Sequence, residues 1–147
     1  MNDSIPDPYL TRFRGYFRGV MRWHELDALW DAIRAADDDD WFIYAVGETP
    51  PDSTASNGQL AAFITHIDAL LRKEHEEDYC GIVYVDDPDN PAFVKIFDPN
   101  NLGVSCGFSD NPPLPGWVLS KLRPSDLPSA FPPPANRRRW WQRLFPS

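Results

Sequence analysis

The chain has 147 residues, 42% of them hydrophobic and 14% aromatic, and a net charge of −8. This length and apolar content exclude global disorder and fit a single domain able to bury a core. Residues 24–110 carry 19 acidic side chains against four basic ones, which excludes the centre of the chain as a nucleic-acid surface, since phosphate affinity rests on clustered Lys and Arg.

The two ends are basic instead. Residues 1–23 sum to +2 and residues 111–147 to +5. No charged stretch followed by an apolar run opens the sequence, and no apolar run approaches the roughly 20 residues that span a bilayer. Cys80 and Cys106 are too few for a disulfide framework and lack metal-type spacing. The expectation is a cytoplasmic protein with both thiols reduced, and with no cofactor, metal, nucleic-acid partner or transmembrane segment.

Residues 1–11 contain Pro6 and Pro8 and read as a loose arm. Phe13, Tyr16 and Phe17 then alternate with Arg12, Arg14 and Arg18 around Gly15 and Gly19, which fits either an edge strand or an irregular lead-in. Leu26, Leu29, Trp30 and Ile33 fall at i, i+3, i+4 and i+7 and predict a helix over 23–36. Glu25 and Asp27 sit in its first turn, where the helix dipole favours negative charge. Asp37-Asp38-Asp39-Asp40 reads as a solvated turn. As a calcium loop it would place Phe42 where glycine is required.

Residues 41–46, nearly all apolar, predict a strand covered on both faces. A helix over 57–74 follows, capped by Ser56 with Gln59 three positions on, and buries Leu60, Phe63, Ile64, Ile67 and Leu71. Turn-bounded apolar runs near 81–85, 93–97 and 104–107 predict an antiparallel meander. A right-handed crossover is expected if strands 41–46 and 81–85 are parallel neighbours. The expected fold is α+β, a two-layer sandwich with a mixed, mainly antiparallel sheet of four to five strands and two amphipathic helices, spanning residues 1–123. Residues 116–122 are apolar enough to dock as one helical turn. Residues 124–147 read as a proline-rich linker and a basic, aromatic tail; nine of the 16 prolines lie beyond residue 110.

Few residues suggest chemistry. Cys106, between Ser105 and Gly107, is the one candidate nucleophile, and a reactive thiol needs a nearby cation or histidine base. His24, His66 and His75 are the available bases, and none is adjacent in sequence. His66 and His75 lie nine residues apart on one helix and point to opposite sides, so they do not chelate one ion. Asp86, Asp87, Asp89 and Asp98 are explained as turn residues by their Pro and Asn neighbours. Asn100 and Asn101 suit left-handed turn angles and could also present amides to a partner.

The tail is the strongest functional lead. A short helix capped by Asn136 would gather Trp140, Trp141, Leu144 and Phe145 on one face, with Arg137, Arg138, Arg139 and Arg143 supplying charge. So short a helix needs a surface, and Trp and Arg are the residues most enriched at interface hot spots. Three surfaces fit: the chain's own acidic body, a partner protein or second copy, or an anionic membrane bound peripherally. The function expected is a non-catalytic accessory or assembly protein acting through protein–protein contacts. The alternatives are a small enzyme using Cys106 and a peripheral membrane protein held by its tail.

Overall fold

A computed structural model describes residues 7–35, 40–73, 79–99 and 114–130. Helix α1 (Pro8–Phe13) precedes strand β1 (Arg18–Arg22), which runs directly into helix α2 (Trp23–Ala35). Strand β2 (Phe42–Ala45), helix α3 (Asn57–Lys73) and strands β3 (Tyr79–Val85), β4 (Phe93–Ile96) and β5 (Trp117–Ser120) follow, and helix α4 (Leu127–Ala130) comes last. The five strands form one sheet in the order β1-β3-β4-β5-β2, and every pairing is antiparallel. The protein is α+β.

Both long helices form where their apolar stripes lie. Ser56 and Gln59 make a reciprocal capping box: the Gln59 N–H donates to Ser56 Oγ at 3.1 Å and the Ser56 N–H to Gln59 Oε1 at 2.9 Å. At the start of α2 Glu25 supplies only the acidic half of such a box, accepting the N–H groups of Arg22 and Met21. Leu26, Leu29, Trp30 and Ile33 of α2 and Leu60, Ile64, Ile67 and Leu71 of α3 pack on Val83, Val85, Val94, Ile96 and Leu119 of the sheet. Arg72 locks the helices together, pairing with Asp27 and Asp68 beside the Trp23 ring, while Trp30 Nε1 donates to Asp68.

Four expectations are corrected. The sheet is antiparallel throughout rather than mixed, and β2 neighbours β5, so no parallel crossover joins 41–46 to 81–85. Residues 117–120 are a central strand rather than a helical turn; Val118, Leu119 and Ser120 are fully buried between β4 and β2. Residues 8–11, expected in a loose arm, form α1 together with Arg12 and Phe13, because Asp7 caps it and Pro8 suits a first helical position. Residues 127–130, expected in a linker, dock through Leu127, whose N–H donates to the Tyr44 hydroxyl. The strand expected at 104–107 lies outside the described residues.

The sheet therefore carries a second apolar cluster, which the expected two-layer sandwich leaves out. Tyr9, Phe13, Tyr44, Phe93, Val118 and Leu127 form it, with Leu10, Phe17, Leu114 and Leu122 against them. The β4 sequence explains the two sides: Val94 and Ile96 join the helix-side cluster while Phe93 joins the other. Asp7 ties the first and last described segments together over that second cluster. Its Oδ1 accepts the N–H groups of Tyr9 and Leu10, and its Oδ2 accepts the Ser125 hydroxyl.

Candidate functional site

The candidate site is the stretch from the end of α1 through β1. Strand β1 is at one edge of the sheet among the described residues, held by β3 with a register shift between Val20 and Arg22. Val20 points into the core, and its neighbours are exposed. Gly19 lets the Tyr84 ring lie across the strand: a Cβ there would meet Tyr84 Cε2 at 3.3 Å. Tyr84 in turn meets Phe97 edge-on, 5.7 Å between centroids.

Tyr16 is 74% exposed and Met21 49%, the large hydrophobic side chains most open to solvent among the described residues. Arg14, Arg18 and Arg22 are exposed between and beside them. Phe17, next to Tyr16, behaves oppositely. It packs edge-on against Phe93, 5.5 Å between centroids. The irregular stretch between α1 and β1 thus anchors the segment by one residue and displays its neighbour.

Lys95 explains how the anchor is held. Its Nζ lies 4.0 Å from the ring centroids of both Phe13 and Phe17, so one ammonium sits against two aromatic faces. Burial pushes this ammonium down to about 8, while the two rings favour its charged form.

An open groove of about 830 Å³ adjoins Tyr16 between α1 and the β3–β4 loop, with Pro8, Arg12, Asp86, Asn90 and Leu122 in its walls. Asp86 organises that loop. Its Oδ1 accepts the N–H groups of Asp87, Ala92 and Phe93, and its Oδ2 accepts Arg12 Nη1 at 2.8 Å. The aspartates of 86–89 are turn residues, as their neighbours predicted: Asp87 Oδ1 also accepts the Asp89 N–H.

Most site residues expected from sequence lie outside the described residues: Asn100, Asn101, Cys106 and the tail residues Arg137, Arg138, Arg139, Trp140, Trp141, Arg143, Leu144 and Phe145. His24 and His66 are exposed on separate helices, and His75 lies outside the described residues. Among the described residues no three His, Cys, Asp or Glu side chains are grouped to hold a metal ion, and no helix is long and apolar enough to cross a membrane. The Arg and aromatic alternation at 12–18 is visible in the sequence but carries no role there, and Lys95 does not stand out as a site residue. The available signal there was one cation inside the otherwise apolar run Phe93-Val94-Lys95-Ile96-Phe97.

Compared with protein-family models, with curated proteins and with solved structures, the chain matches none.

Proposed function

We propose that this is a non-catalytic accessory protein of the cytoplasm that acts through protein–protein contacts. The observation that carries the reading is the display of Tyr16 and Met21 among exposed arginines. Apolar side chains held out on a well-anchored segment, with arginine around them, have the composition of an interface. The C-terminal residues Arg137–Phe145 belong to the reading as a second docking element, argued from their Arg and Trp content.

The test is photo-crosslinking in the source cells, with a photoreactive residue placed singly at positions 16, 21 and 53. Ser53 is exposed on the loop after β2 and serves as the control position. A discrete protein adduct from positions 16 and 21, absent from 53, is the expected result. No adduct, or the same adducts from all three positions, would overturn the reading.

A further inference from the structure

We infer that the Tyr16–Arg22 surface docks an extended, acidic segment of a partner protein, an inference that rests on the contact reading above and names the partner's chemistry. The shape argues for an extended occupant. Arg18, Met21 and Arg22 follow one edge strand whose five residues run about 17 Å, a row rather than a broad face, and Tyr16 stands just before it. The charge argues for an acidic one. Arg18 and Arg22 are exposed and form no ion pair among the described residues, and only Arg22 has a carboxylate, that of Glu25, acting on it electrostatically. Beside them, Met21 and Tyr16 offer apolar area that a bare polyanion would leave uncovered.

The same features decide against other occupants. A second copy laid edge to edge would set Arg18 and Arg22 against their own equivalents, and facing like charges destabilise a strand pair. The basic C-terminal tail is repelled for the same reason. Full strand addition along β1 is also blocked at one end, because Glu25 already takes the N–H groups of Met21 and Arg22. Recognition therefore runs through side chains: carboxylates on the two guanidinium groups, and an apolar residue between them on Met21.

The experiment titrates the full chain with a dye-labelled peptide of alternating Glu and Leu, using a Lys–Leu peptide as control, and follows anisotropy at low and at physiological salt. The acidic peptide is expected to bind more weakly as salt rises. The variant R18E/R22E should lose affinity by about tenfold or more, while R18Q/R22Q should lose less. If the reversal fails to fold, the glutamine variant carries the test alone. The inference is overturned if the acidic peptide does not bind, if both peptides bind alike, or if neither variant changes affinity. It is also overturned if sedimentation shows a dimer of the native chain that R18E/R22E dissociates, or if only anionic lipid vesicles bind through these arginines. Crosslinks from positions 16 and 21 without acidic-peptide binding would remove the acidic chemistry and leave the contact reading standing. Loss of the crosslinks as well would end both.

Discussion

The two faces of the sheet are built by different means. The face under α2 and α3 is aliphatic, with Trp30 and Trp41 as its large members, and its helical half comes from two continuous segments with apolar residues at helical spacing. The opposite face is aromatic and assembled from the first and last described segments of the chain. Tyr9 and Phe13 come from the first, Leu127 from the last, and Phe93 and Tyr44 from the strands between. Tyr9 lies 5.0 Å and Phe13 6.4 Å, centroid to centroid, from Phe93. A periodic stripe fixes its own partner surface locally. A segment that folds back is fixed by topology, and through Phe13, Phe17 and Lys95 it sets which side of the Tyr16 segment faces water.

The largest test asks whether the second face is core or covering. Ile64→Ala on the helix side and Phe93→Ala on the other should each destabilise by about 2–5 kcal/mol in urea unfolding, since both side chains are fully buried. Phe93→Ala costing under about 1 kcal/mol would reduce the aromatic face to a loosely laid cover.

Next in size is Asp86, which holds α1 to the sheet's loop. Asp86→Ala strands three backbone donors and removes the Arg12 partner, with an expected loss of about 2–3 kcal/mol. Most of this loss should come from the backbone bonds, because Arg12 is half exposed. Arg12→Ala should therefore cost much less, and equal losses would reverse that assignment.

Lys95 gives the comparison a pH signature. The unfolded chain keeps this proton to about its ordinary 10.5, and the folded chain only to about 8. Between those values the unfolded state binds more protons, so stability rises with pH from about 8 to 10.5 and levels off above. The difference between native chain and Lys95→Met isolates this rise from Tyr9 and Tyr44, whose raised hydroxyl pKa values act in the opposite sense. A flat difference curve would mean that the two ring faces fully offset burial.

Tyr9 predicts a small effect. Burial, with Tyr44 and Asp7 nearby, pushes its hydroxyl well above the ordinary tyrosine value, and Tyr9 Oη has no hydrogen-bond partner among the described residues. Removing an unsatisfied buried hydroxyl relieves its desolvation, so Tyr9→Phe should be neutral or stabilising by up to about 1 kcal/mol. A destabilised Tyr9→Phe would show that the hydroxyl is bonded after all.

These contrasts explain what was legible in the sequence. The α2 and α3 stripes, the Ser56 capping box and the β3–β4 hairpin rest on spacing and turn chemistry within short windows, and the chain adopts them where expected. Residues 117–120 were not legible as a strand, because Pro115 before them and the prolines after them suggest irregular chain. What makes Trp117-Val118-Leu119-Ser120 a central strand is the pair of neighbours it finds, β4 and β2. Helix α1 escaped for a related reason. Its Asp7-Pro8 start is a legible capping signal, yet only the distant Phe93 and Ser125 give so short a helix something to hold. At the candidate site the alternation of arginine and aromatic residues was visible, but the opposite fates of Tyr16 and Phe17 depend on Lys95, nearly 80 residues away.

The most direct test of the account is the double variant Tyr16→Ser/Met21→Ser, measured for both unfolding and photo-crosslinking from the exposed position 11, which lines the same groove as Tyr16. Because both side chains face water, the account predicts an unfolding free energy within about 0.5 kcal/mol of the native chain, together with loss of the partner adduct. A variant that unfolds markedly earlier, or that keeps its adduct unchanged, would contradict the claim that these residues are displayed for contact rather than for the fold.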